Sequence, residues 1–320
     1  MRTARHGSPG RRWRRRSVIF ALPAALLVGG GCSVWQQARE PQAQARPEAV
    51  ATATPSAAVA TPGPVASVKP SPKPSLKASP SAKPALRWKP KLVAGQTWQL
   101  QLKGPVQLSV KADVYDIDGA DATAAQITAL HARGAKAICY INAGAWEDWR
   151  ADRGRYPSSV IGKPMDGWAG ERWLDIRRWS ALEPILRGRF ADCRRKGFDG
   201  VDPDNMDGYT QRSGFTITAA EQLTFNRRVA ALARSMGLAV GLKNNLSQVN
   251  ALAGDFDFAV NESCVRFNEC HLLRPFLRAG KPVFHVEYNA SLGDVCPTSR
   301  RLALSSILAE EDLTGPRQAC

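Results

Sequence analysis

Five short apolar runs in this chain each end in polar or ionisable residues, and helix-like segments separate most of them. They end at Val114-Tyr115-Asp116-Ile117-Asp118, Val201-Asp202-Pro203-Asp204, Leu242-Lys243-Asn244-Asn245, Val260-Asn261-Glu262 and Val286-Glu287-Tyr288. Strands alternating with helices argue for a parallel sheet, because a parallel neighbour is reached only by a crossover. Thr123-x-x-Gln126 and Thr218-x-x-Glu221 are capping boxes, with Gly134 and Gly237 placed to end the helices they open. Candidate strands lie near residues 98–102, 113–117, 137–141, 172–176, 199–203, 239–243, 257–261 and 283–287. Eight such units predict an α/β fold, a (β/α)8 TIM-like barrel with its active site at the C-terminal strand ends. The polar residues sit at those ends. The first two strands lie too close for a helix between them, so the opening unit is irregular or the count is off by one. A doubly wound open sheet is the alternative.

Gly197–Tyr209 (GFDGVDPDNMDGY) is the densest polar end, with Asp199, Asp202, Asp204 and Asp207. Pro203 cannot donate to a sheet ladder and should stop the strand. Carboxylates at the end of a core strand are costly to desolvate, so they are hydrogen-bonded or functional. An acidic turn that caps backbone amides is the plainer reading.

The rest of the chain divides by composition. Residues 41–90 hold eleven prolines among Ala, Ser, Thr and Lys, with few large apolar side chains. Residues 33–87 therefore read as a disordered Pro-rich linker, and residues 88–320 as one barrel domain. Residues 1–32 read as a signal peptide: a basic Arg11–Arg16, an apolar Val18–Val28, then Gly29-Gly30-Gly31-Cys32. Arg15-Arg16-Ser17 also resembles a twin-arginine export signal. Gly31-Cys32 offers a lipoprotein cleavage site with a lipid anchor at Cys32; Gly29 stands where lipoproteins usually have Leu, and ordinary cleavage is the alternative. Residues 1–87 carry 14 Lys/Arg against 2 Asp/Glu, a net +12 of the chain's +16. The excess lies in the tail, so no nucleic-acid site is expected in the folded domain. A secreted or cell-envelope monomer is expected, in contact with membrane only through Cys32.

Six cysteines follow Cys32, an even number that suits disulfides in an exported domain. Cys264 and Cys270 can close a local loop, and Cys296–Cys320 would tie down the C-terminus. Cys139 and Cys193 are left as a pair or as buried thiols. The spacings fit no common zinc pattern, and no metal or cofactor is expected.

The segments Trp168–Arg177 (WAGERWLDIR), Gly197–Tyr209, Ser213–Thr218 (SGFTIT), Gly237–Asn245 (GLAVGLKNN), Phe256–Cys270 (FDFAVNESCVRFNEC) and Gly280–Tyr288 (GKPVFHVEY) occur in that order. As an ordered set they resemble glycoside hydrolase family 114, the endo-α-1,4-polygalactosaminidases. The resemblance implies a TIM-like barrel that cleaves α-1,4-linked galactosamine polymers within the chain. It implies Asp204 and Glu262 as the catalytic carboxylates.

The chemistry read from the residues agrees. Glycoside hydrolysis needs two carboxylates flanking the scissile bond, and Asp204 and Glu262 close two different strands. Asp204, beside Asp202 and Asn205, is expected to be the nucleophile. Glu262 follows Phe256, Phe258, Ala259 and Val260, a run that would desolvate it and suit an acid/base. Asp118, Asp202 and Glu287 are candidates for sugar hydroxyls or the ammonium of an amino sugar, with Asn205 and Asn244 beside them. Lys243 would bond a sugar oxygen or pair with Asp202 or Glu262. Tyr140, Trp173, Tyr209 and Tyr288 are candidate stacking aromatics, although barrel aromatics are more often core. Asp175 and Asp199 read equally well as buried residues bonded to backbone amides. The rivals are a barrel that binds an envelope polysaccharide without cutting it, and a metal-dependent hydrolase built on the aspartate cluster. Absence of His-x-His or His-Glu-x-x-His weighs against the second.

Overall fold

The computed structural model describes residues 92–320; the expected signal peptide, lipid-anchor site and linker lie outside the described residues. Twelve strands are present among these: β1 Trp98–Gln101, β2 Val114–Asp118, β3 Lys136–Asn142, β4 Ala145–Glu147, β5 Ile161–Met165, β6 Trp168–Leu174, β7 Gly200–Asp204, β8 Ala239–Lys243, β9 Phe258–Glu262, β10 Val283–Glu287, β11 Ser305–Ala309 and β12 Arg317–Ala319. The helices are α1 Ala124–His131, α2 Trp179–Lys196, α3 Ala219–Ser235, α4 Val249–Leu252, α5 Arg274–Arg278 and α6 Leu292–Leu302.

Eight strands, in the order β1-β2-β3-β7-β8-β9-β10-β11, run parallel, and β12 adds antiparallel to β11. The sheet curls into a nearly closed TIM-like barrel. The N–H groups of Leu102 and Lys103 just after β1 donate to the Leu313 carbonyl, and Gln99 bonds both Gly315 O and Arg317 across the seam. The open-sheet alternative is therefore set aside.

The expected count of eight is right, but its membership is not. The strand expected at 172–176 belongs to β6, which pairs antiparallel with β4 and β5 in a separate three-stranded sheet. Gly167 has φ +85°, which lets Met165 and Trp168 close a tight hairpin. That local pairing wins over a crossover into the barrel. The missing barrel strand is β11, a short segment opening on two serines. No helix joins β1 to β2, so the opening unit is irregular as expected.

Period-2 alternation sorts each barrel strand into two faces. Val114, Ile138, Ala239, Phe258, Phe284 and Ile307 fill the barrel interior. Tyr115, Ile117, Cys139, Val201, Val240 and Ala259 face the helix layer. Both capping boxes form, at Thr123 and Thr218. Disulfides join Cys139–Cys193, Cys264–Cys270 and Cys296–Cys320. They tie β3 to α2, clamp the loop after β9 and pin the C-terminus to α6. Asp199 accepts the Ala137 N–H and an imidazole N–H from His131, a structural role below the sheet's working end. Asp175 is likewise occupied, by Arg177.

Candidate active site

The inward face that is apolar at the barrel's base becomes polar at the C-terminal strand ends. Asp118, Tyr140, Asp204, Lys243 and Glu262 stand there and line a cleft of about 640 Å³. The small sheet supplies the opposite wall through Glu147, Glu171, Trp168 and Trp173.

Asp204 ends β7. Its Oδ2 accepts a hydrogen bond from Tyr140 Oη at 2.7 Å, and its Oδ1 accepts the Asn205 N–H at 2.8 Å. Asn205 sits at φ +61°, a conformation asparagine tolerates better than most residues, and its side chain donates to Asn142 Oδ1. Glu262 ends β9. Its Oε1 accepts from Tyr288 Oη at 2.7 Å and its Oε2 from Asn244 Nδ2 at 3.0 Å. Asn244 and Asn245 follow one another at φ +49° and +47°, turning the chain off β8 so that Asn244 can reach Glu262. Phe256, Phe258 and Val260 pack in the core, so the carboxylate of Glu262 is surrounded by polar donors, not by the expected apolar run.

Lys243 ends β8 and lies between these two. Its Nζ is 3.4 Å from Asp204 Oδ1, 3.6 Å from Glu262 Oε2 and 4.0 Å from Asp202 Oδ2. It also lies 5.5 Å from the centre of the Tyr140 ring. Burial disfavours its charge, but Asp204, Glu262 and Asp202 outweigh that and hold Lys243 well above the ordinary lysine range. One layer deeper, Asp116 and Asp202 are fully buried, and none of their four carboxylate oxygens meets the geometric limits of a hydrogen bond among the described residues. Burial, then the neighbouring Asp202 charge, drives Asp116 far up; burial pushes Asp202 to about 7 although Lys243 opposes it. The two acids can share a proton, leaving one charge to face Lys243.

The other expected ligands divide. Tyr140, Trp173, Asn205, Lys243 and Asn244 line the cleft. Asp118 does too, but Arg150 grips both its oxygens, at 3.0 and 2.5 Å. Asp202 lies beneath the cleft wall. Tyr288 reaches the site through Glu262. Tyr209 is not among the residues lining the cleft; its Oη hydrogen-bonds Ser247 Oγ. Glu287 is also outside it. It is 1 % exposed, bonded to His285, and accepts the N–H groups of Val265 and Arg266, fixing the loop after β9. The physical reason is alternation: Phe284 and Val286 face the barrel interior, so Glu287 must face out.

Three features were not singled out from the sequence. Asp116 shares the inward face with Asp118, a signal the alternation of Val-Tyr-Asp-Ile-Asp carries. Glu171 accepts from Asn142 Nδ2, and burial, with the Glu147 and Asp204 charges, pushes it up to about 7. Trp149 and Trp168 stand in the cleft wall 51 % and 56 % exposed. Cys264, Cys270 and His285 cluster closely enough for a metal, but the two sulfurs are bonded to each other.

The model of glycoside-hydrolase family GH114 matches residues 77–320. The chain belongs to that family. The GH114 match is accompanied by a solved structure, Aspergillus fumigatus Ega3 in complex with galactosamine, similar at TM-score 0.69 and 32 % identity over 73 % of this chain and 97 % of that one. The glycoside hydrolase domain of PelA from Pseudomonas aeruginosa shares the fold at TM-score 0.54 and 14 % identity, over 69 % of this chain and 96 % of its own. An uncharacterized protein of Deinococcus radiodurans is 29 % identical over 233 residues, 62 % of this chain and 74 % of that protein. As a GH114 member this chain is a glycoside hydrolase, related to the endo-polygalactosaminidases.

Proposed function

We propose that this GH114 enzyme cleaves α-1,4-linked galactosamine-containing polysaccharide within the chain, with Asp204 as nucleophile and Glu262 as acid/base. The observation that carries the reading is Lys243, held by burial within 3.4 Å of Asp204 and 3.6 Å of Glu262. One fixed cation thus gathers two carboxylates from different strands at one mouth. Galactosamine bound to Ega3, a 32 % identical structure, supports the substrate class. A cleft wall rich in carboxylates suits a cationic sugar.

Asp204 accepts from a phenol and a backbone amide and faces the ammonium of Lys243, a setting for an ionised, oriented nucleophile. Its oxygen attacks C1 as the C1–O bond breaks, and Glu262 gives its proton to the departing oxygen. Water then attacks C1, Glu262 takes a water proton, and the Asp204 carboxylate leaves. Both carboxylates touch one ammonium, so those two oxygens are no further apart than the two distances to it combined. That bound is compatible with the spacing of about 5–5.5 Å of retaining enzymes, which supports the two-step course. Three disulfides favour an oxidising compartment, and a polysaccharide substrate suits secretion or the cell envelope. Among the described residues no helix is long and apolar enough to cross a membrane.

Asp204→Asn and Glu262→Gln are each expected to keep the fold and polymer binding and to lose activity, by at least about 10²-fold for Glu262→Gln. The measurement is release of new reducing ends from galactosaminogalactan. An activated aryl α-galactosaminide, whose leaving group needs no proton, should restore the first step in Glu262→Gln, seen as a burst of aryl release before a slow steady state, but not in Asp204→Asn. Near-normal turnover in both variants would sink the two-carboxylate reading. A first product of β configuration, read by NMR, would replace the two-step course with inversion.

A further inference from the structure

The cleft does not end at Glu262. A second cavity, of about 430 Å³, opens on its other side. Asp207, Asn244 and Glu262 line both cavities, whereas Asp204, Lys243 and Tyr140 line the first and not the second. Asn245 and Asn261 also line the second; they are 4 % and 1 % exposed, and the Oδ1 of each has no hydrogen-bond partner among the described residues. Phe267, 61 % exposed, stands on the rim, with Arg266 5.5 Å from its ring centre. The segment carrying it is doubly fixed, by the Cys264–Cys270 disulfide and by Glu287 holding the Val265 and Arg266 amides. Glu269 adds a third carboxylate to those of Asp207 and Glu262.

We infer that this second cavity is the leaving-group subsite, taking the amino-sugar units on the reducing-end side of the scissile bond, with Phe267 as their stacking surface. The inference rests on the roles given above to Asp204 and Glu262. A nucleophile lies against the sugar whose C1 it attacks. The acid lies beside the glycosidic oxygen, between that sugar and the one departing. The cavity holding Asp204 is therefore the glycone side, and the cavity reached by Glu262 alone of the two is the leaving-group side. The polymer then runs with its non-reducing end toward Trp149 and Trp168 and its reducing end over Phe267. Ammonium groups on the departing units meet Asp207 and Glu269.

The test uses a galactosamine heptamer carrying ¹⁸O at its reducing end, with the full chain as wild type, Phe267→Ala and Phe267→Tyr. Phe267 is exposed, so the alanine variant should fold, which its melting temperature checks. Loss of one exposed ring contact should lower kcat/KM about 3- to 10-fold, and Phe267→Tyr should recover it. The labelled product should keep its length or shorten, because the oligomer slides away from the weakened side. An unchanged kcat/KM, or a longer labelled product, overturns the inference. A second arm measures heptamer binding to Glu262→Gln with and without Phe267→Ala by calorimetry. A Kd raised about 3- to 10-fold supports the subsite, and an unchanged Kd overturns it. Wild-type turnover in Glu262→Gln would instead sink the acid assignment and the inferred direction, leaving the binding arm to judge the subsite.

Discussion

Lys243 sets one positive charge against three carboxylates, the nearest at 3.4 Å and the farthest at 4.0 Å, while only 2 % exposed. Removing one partner of a buried ion cluster leaves uncompensated charge, at a cost of about 3–5 kcal/mol. Lys243→Met keeps the stem's packing and removes the charge. It should lower unfolding free energy by that order in a urea titration at pH 8 and abolish most turnover. A melting curve like wild type would show that the cluster is held by other means. The acids beneath Lys243 give the protein a pH signature. Folding lifts Asp202 from 3.8 to about 7 and Glu171 from 4.5 to about 7. The folded state then binds those protons more tightly, so their stabilising contribution is whole below the unfolded values and is lost as pH rises through about 7. Stability should therefore be greater at pH 5.5 than at pH 8, by on the order of 2 kcal/mol from Asp202. Asp202→Asn should shrink that difference, and an undiminished difference would remove Asp202 as its source. Asp204, Lys243 and Glu262 were legible in the sequence because each closes an apolar run. Glu287 misled because the neighbouring Tyr288 was read on the same side, which a strand forbids. Asp116 was overlooked although it shares the inward face with Asp118.

At the level of strands, the helix boxes and seven of the eight barrel strands could be read, since periodicity and capping are local. β6 could not, because whether Trp168–Leu174 joins the barrel depends on pairing with β4 and β5, which no local pattern states. β11 was missed because five residues opening on two serines resemble a turn. One contact between strand ends explains how Asp204 is aimed. The N–H groups of Ala143 and Gly144, just beyond β3, both donate to the Asp204 carbonyl. Gly144 approaches so closely that a Cβ there would stand 1.8 Å from Asn205 O. No flexible side chain can give way, so the backbone after β7 must move. Gly144→Ala is expected to cost about 1–3 kcal/mol by overpacking and to displace the nucleophile. Thermal unfolding should show the loss, and activity should fall further than the stability change explains. Unchanged activity at a lowered melting temperature would mean that Asp204 is positioned from β7 alone.

At the scale of the whole chain, charge and fold are partitioned differently. The first 87 residues carry a net +12 of the +16, while the strand ends that form the site gather carboxylates. Deleting residues 1–87 should therefore remove most of the net positive charge and none of the catalytic groups. The domain's inner cluster begins with Leu92 and Trp98, whose ring lies 5.4 Å from that of Phe284. A chain of residues 88–320 retains both, along with β1, which completes the barrel wall. The Leu102 and Lys103 amides that close the seam are retained as well. We expect this shortened chain to unfold in one cooperative transition and to keep the kcat/KM of the full chain on soluble galactosamine polymer. The family match begins earlier, at residue 77, so a chain of residues 77–320 is the control. Cooperative unfolding in the longer version alone would move the boundary into 77–87. Loss of cooperativity in both would show that the preceding residues contribute to the fold, against the reading of 33–87 as linker.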